Sequence, residues 1–252
     1  METRAPVVYF VLGTPGSGRR AIVADLVANG LSPEDSAALL LPGGMQAANG
    51  TVKIGEWTWS ESSISGNIPA GATHVFLIAD PTLSPVDQVE ALVKWLPETG
   101  AQLGRIFTVV DCAFGSAHPD LFGWFEACVH FSDVVFFTNR SGIPGSWIRD
   151  FEKHFKKLYY PCLFEKPDGA EVANPALVLE RQALRMSPAF EDDFELAGAG
   201  AEYEIEVDDE DEDDDFVEEE PPQEDRYFAR NRGGGNRVIQ VPDIAPFLTP
   251  KA

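Results

Sequence analysis

Cysteine is scarce in this 252-residue chain, with only Cys112, Cys128 and Cys162 present. An odd number at spacings that match neither a zinc framework nor a disulfide framework predicts buried free thiols. Their pairing with histidine is no better. Cys112, His118, Cys128 and His130 do not fall on one helix face, so no zinc site is expected. Long apolar runs are absent too. None reaches about 18 residues, which excludes a spanning helix. Met1-Glu-Thr-Arg-Ala-Pro6 lacks the basic and apolar regions of a secretory leader, so the expected location is the cytoplasm. Basic residues are few: 19 Lys and Arg against 41 Asp and Glu give a net charge of −22, which disfavours nucleic-acid backbones and anionic membranes as partners.

That charge is unevenly placed. Residues 187–225 hold 20 acidic residues and no basic one, while residues 226–252 hold five basic residues and one acidic. The first 186 residues carry only −6. Three regions follow: a globular domain over 1–186, an acidic disordered segment over 187–225, and a mobile C-terminal segment over 226–252 that offers a docking motif. The acidic segment repels itself and has too little apolar surface to offset chain entropy. It suits a basic protein partner.

Within 1–186, short apolar runs alternate with helical patterns. Residues 7–12, 74–79, 106–110 and 134–138 read as buried strands, and 162–164 as a last short one. Residues 51–59 alternate as a strand that places Trp57 and Trp59 on one face, for packing rather than base stacking. Helices are predicted over 19–29, 85–96 (after a Ser84 cap), 121–130 and 144–155. The alternation predicts an α/β fold with a doubly wound, mostly parallel sheet of P-loop NTPase type, followed by the disordered acidic tail.

The segment Gly13-Thr14-Pro15-Gly16-Ser17-Gly18-Arg19-Arg20 lies between the first strand and the first helix. Glycines there let successive N–H groups converge on an anion, and the helix N-terminus adds its positive end. The spacing fits G-x-x-x-x-G-K-[ST] with two substitutions. Arg19 takes the lysine position and keeps the charge in a bulkier, forked form. Arg20 takes the hydroxyl position and cannot ligate a metal, so phosphate binding is expected with magnesium in doubt. Asp80 and Asp111, each at a strand end, are weak catalytic candidates, and both are equally at home as turn or cap residues.

Further motifs occur in a familiar order. Asn49-Gly50, Val75-Phe-Leu-Ile-Ala-Asp-Pro81, Phe107-Thr-Val-Val-Asp-Cys112 and Phe131-Ser-Asp-Val-Val-Phe-Phe-Thr-Asn-Arg140 resemble segments of CobW-like P-loop GTPases. The resemblance covers roughly residues 7–160. It implies a GTP-binding domain of the class that includes metal-insertion chaperones, with Asn139 among the residues that hold the nucleotide. The departures are systematic. The family's Cys-x-Cys-Cys is replaced by Thr51-Val-Lys-Ile54, and its Asn-Lys-x-Asp by Asn139-Arg-Ser-Gly142, so Gly142 offers no carboxylate to a guanine edge. The acidic segment stands where the family carries its C-terminal domain, so no counterpart of that domain is expected in this sequence. The reading is a degenerate GTPase-like protein that binds GTP, ATP or phosphate with weak or no hydrolysis, in a regulatory or structural role. The alternative is an interaction or assembly protein acting through its acidic tail, with a vestigial loop. The glycine-rich loop also resembles that of nucleoside monophosphate kinases, which would require Arg105, Arg140 and Arg149 to converge on it.

Overall fold

The computed structural model describes residues 5–45, 52–191, 225–231 and 235–248. Most of the acidic segment, residues 192–224, lies outside the described residues, as do Asn49 and Gly50. Two compact units are present: residues 1–187 with 240–252, and residues 188–239. The terminal segment read as 226–252 is therefore divided at Gln240.

The first unit is built on one eight-stranded sheet. Its strands are β1 (Val7–Gly13), β2 (Ala37–Pro42), β3 (Lys53–Ser60), β4 (Ser63–Gly66), β5 (His74–Ile78), β6 (Gln102–Asp111), β7 (Val134–Thr138) and β8 (Leu163–Glu165). Their order is β4-β3-β2-β5-β1-β6-β7-β8, and every neighbouring pair is parallel except β3–β4. The helices are α1 (Arg19–Gly30), α2 (Pro85–Thr99), α3 (Cys112–Ala117), α4 (Phe122–His130), α5 (Gly145–Lys157), α6 (Pro175–Val178) and α7 (Ala245–Leu248).

The central strands β1, β5, β6 and β7 are buried on both faces, which is why they read as continuous apolar runs instead of alternating. On one face Tyr9, Phe76, Phe107 and Phe136 pack with Ile22, Val23 and Leu26 of α1. Tyr9 lies between Phe76 and Phe107, with centroids at 5.1 and 5.6 Å, and its hydroxyl donates to the Leu179 carbonyl at 2.8 Å. On the other face Phe137 meets Phe151 of α5 edge-on at 5.5 Å.

Local signals fix the element ends. Ser84 Oγ accepts the Asp87 amide, Pro85 opens α2, and Gly100 closes it in the left-handed conformation. β3 and β4 form a hairpin whose turn residues Glu61 and Ser62 both have positive φ, 49° and 59°, the geometry of a type I′ turn.

The second unit, in its described residues, is organised by side-chain bonds to its own backbone. Asp225 accepts the Tyr227 amide at 2.8 Å, Arg237 Nη1 donates to the Tyr227 carbonyl, and Arg230 pairs with Arg237 as an isolated antiparallel bridge.

Candidate phosphate-loop site

The loop after β1 sits at the carboxyl edge of the sheet, where ligands bind in doubly wound folds. Its shape depends on three glycines with positive φ: Gly13 at 139°, Gly16 at 75° and Gly18 at 84°. At Gly13 the requirement is also steric, because a Cβ there would lie 2.6 Å from the Val109 carbonyl oxygen. Gly18 is the N-cap of α1, and its carbonyl accepts the amides of Ala21 and Ile22 at 2.9 and 3.1 Å.

Neighbouring strand ends hold this loop from behind. Thr138 Oγ1, at the end of β7, donates to the Ser17 carbonyl at 2.8 Å. Asn139, itself in the left-handed region at φ 49°, donates through Nδ2 to the Gly16 carbonyl at 3.3 Å and to Asp111 Oδ2 at 2.7 Å. Asp111 Oδ1 in turn accepts the Phe114 amide at 3.0 Å and caps α3. Asp111 and Asn139 are thus joined to each other and to the loop.

Two hydroxyls in the loop have no such role. Thr14 Oγ1 and Ser17 Oγ are buried and lack a hydrogen-bond partner among the described residues. Buried hydroxyls are ordinarily bonded, and leaving one unmet costs about 1–3 kcal/mol. Phosphate oxygens are acceptors of the kind both groups need.

Arg19 does not project to solvent. It is 7% exposed, and Nη1 donates to the Ala79 carbonyl at 2.6 Å. Burial lowers its pKa to about 10, with Asp80 opposing the shift, so it remains cationic at neutral pH. Arg20 is exposed.

The end of β5 is bonded at three successive carbonyls by three different elements. Trp57 Nε1 of β3 donates to Ile78 O at 2.9 Å, Arg19 takes Ala79 O, and Gln88 Nε2 of α2 donates to Asp80 O at 2.9 Å. Gln88 Oε1 also accepts the Asp80 amide at 2.8 Å. Trp57→Phe should keep the packing but lose the indole donor, at a cost of about 1 kcal/mol in urea unfolding. Unchanged stability would show that water replaces that bond.

No family model matches the chain, and no curated protein matches it. Among solved structures it is similar to the Zn(II)-bound YjiA GTPase from E. coli, with 11% identity over 72% of this chain and 67% of that one, at a TM-score of 0.43. It is similar to a Zn(II)-bound triple mutant of YjiA GTPase at 10% identity, the same coverage and the same TM-score.

Gly13, Thr14, Pro15, Gly16, Ser17, Gly18, Arg19 and Arg20 form the turn after β1, and Asn139 reaches it at the Gly16 carbonyl, with Asp111 beside it. Asp80 is used locally: its Oδ1 accepts the Thr82 amide and hydroxyl at 2.8 and 2.6 Å, an Asx turn. The kinase-like convergence of arginines does not occur. Arg105 is buried with its guanidinium on the carbonyls of Leu177, Val178 and Gln182, Arg149 lies on the α5 surface, and Arg140 Nη2 donates to the Pro167 carbonyl. The cysteines are buried free thiols, and burial pushes Cys112 and Cys162 up to about 12. No group of three or more His, Cys, Asp or Glu suited to a metal occurs among the described residues. Arg20, at the hydroxyl position of the loop, offers no metal ligand, and one Asp80 oxygen is engaged in its own turn.

Thr138 and Gln88 were invisible as site residues in the sequence. A hydroxyl at a strand end and an amide on an apolar helix face carry no motif.

Proposed function

We propose that the loop binds the phosphate groups of a nucleotide, or phosphate itself, and that this occupancy is regulatory or structural, with weak or no hydrolysis. The observation that carries this reading is the pair of buried, unpartnered hydroxyls of Thr14 and Ser17 inside a glycine-built strand–loop–helix turn. Backbone amides of the loop, the N-terminus of α1 and the charges of Arg19 and Arg20 supply the attraction. Arg19 would exchange a neutral carbonyl for an anionic oxygen, the stronger acceptor.

Weak turnover follows from the same residues. Hydrolysis needs a positioned water and compensation of charge developing on the transferred phosphoryl group. Asp111 is occupied by Asn139 and the α3 amide, and Arg20 cannot place a metal ion. GTP or ATP incubated with the full-length protein and magnesium should release phosphate little or no faster than the buffer control. Robust turnover that disappears with a loop variant would contradict the proposal.

One observation favours a second reading, in which the loop is vestigial and the protein acts as an assembly factor through its acidic segment. Arg19 is satisfied within the protein by Ala79, so the turn holds its shape without a ligand. Under that reading no anion changes the protein's stability.

A further inference from the structure

We propose that Arg19 is a latch through which the phosphate loop governs docking of the C-terminal strap, residues 240–248, onto the first unit. The proposal rests on the anion-binding reading and adds what that binding controls.

The connection is continuous. Arg19 holds Ala79 O, the first residue beyond β5. Gln88, itself buried, holds the amide and carbonyl of Asp80 and reaches the carbonyls of Leu83 and Ser84 at 3.4 Å. Residues 79–84 are therefore a short connector pinned at one end by the loop arginine and along its length by α2. Leu83 and Ser84 face a cavity of about 190 Å³, whose other walls are Trp124 of α4 and the strap residues 241–244. The strap thus shares the walls of one cavity with the connector that Arg19 holds.

The strap is docked but poised. Ile244 is buried, Pro242 lies over Gly123 so closely that a Cβ there would meet its Cδ at 3.3 Å, and Phe247 packs edge-on against His118 at 5.3 Å. Against these contacts stands the indole N–H of Trp124, which is buried and has no partner among the described residues. An unmet donor at the edge of a docked segment opposes docking, since opening would let water satisfy it. Peripheral segments beside such a group open at lower free energy than the core.

An anion in the loop draws the Arg19 guanidinium from the Ala79 carbonyl to a charged oxygen. Residues 79–84 lose an anchor, the wall formed by Leu83 and Ser84 shifts, and the strap releases. Coupling of this kind is reciprocal, so undocking the strap must tighten anion binding by the same factor.

Hydrogen exchange of the full-length protein tests the latch. Arg19→Met should accelerate exchange of amides in 79–84 and 241–248 about tenfold without any ligand, while β1 and β6 stay protected. In the wild-type protein, magnesium-free GTP and inorganic pyrophosphate should produce the same acceleration. Phe247→Ala, which leaves the loop untouched, should tighten binding of whichever probe binds by several-fold. Strap exchange unaltered in Arg19→Met overturns the latch whatever the probes do. A strap loosened by Arg19→Met with no probe bound to either protein overturns the anion-binding reading, and with it the regulation, leaving Arg19 as a structural tie. Probe binding without any change at 241–248 overturns the coupling alone.

Discussion

Replacing Asp133 by alanine is expected to destabilise the first unit by about 3–5 kcal/mol, the range found when one member of a buried ion pair is removed. Asp133 lies immediately before β7 and is fully buried. One carboxylate oxygen accepts the Leu184 amide at 2.6 Å and the other the Ile106 amide at 2.7 Å, and Arg185 Nη1 completes the pair at 3.2 Å. The group thereby fastens β6 and β7 to residues 184–185. Burial pushes its pKa above the usual carboxylate range, while Arg185 and the two amides pull it back. The network is thus a poor source of net stability and an expensive one to break. Alanine would strip a buried arginine of its carboxylate and leave two backbone amides without an acceptor. Asp133→Asn, which keeps the shape and one acceptor oxygen, should fall between the two proteins. Equilibrium urea unfolding checks the order, and a loss below about 1 kcal/mol for alanine would mean that water enters the site.

The second large effect is expected at Gly18. Its φ of 84° places it in the left-handed region, and a Cβ there would meet no atom within 4 Å. Gly18→Asp therefore costs only the backbone penalty of about 1–2 kcal/mol, and aspartate tolerates that region better than most residues. The fold should survive. A carboxylate at the N-cap of α1 would stand in the field that attracts the anion and would compete for the same amides. Affinity for phosphate-bearing ligands should fall at least a hundredfold, read by equilibrium titration. Undiminished affinity would place the ligand elsewhere.

The contrast between these two residues shows what the sequence carried and what it did not. Gly18 is legible because its spacing from Gly13, between an apolar strand and a helix, is itself the motif. Asp133 is not, because its partners at 106 and 184–185 are brought to it only by the fold. The central strands β1, β5, β6 and β7 were legible for the same local reason as the loop: full burial leaves an unbroken apolar run. The strand β2 was missed. Its Ala-Ala-Leu-Leu-Leu-Pro has helix-favouring composition, and pairing between β3 and β5 makes it extended. β4 was missed because Ser-Ile-Ser-Gly has little strand character and its turn is made by Glu61 and Ser62, without the usual Asn-Gly signal. α2 runs beyond the expected residue 96 to Thr99, through Pro97.

At the site the residue types were legible and their orientations were not. Arg19 as the cation of the loop follows from spacing, but its turn toward Ala79, 60 residues away, is a tertiary fact. Asp111 and Asn139, read separately as a catalytic candidate and a nucleotide-holding residue, are bonded to each other, and Asn139 braces the loop at Gly16.

The most direct test is the thermal midpoint of the full-length protein, titrated with GTP, ATP, their diphosphates and inorganic phosphate, each with and without magnesium. A ligand that binds only the native state raises the midpoint by mass action, whether or not it is turned over. The account predicts a rise with at least one of these ligands, independent of magnesium and absent in Gly18→Asp. A midpoint unmoved by every ligand at millimolar concentration, or a rise that survives in Gly18→Asp, would contradict it.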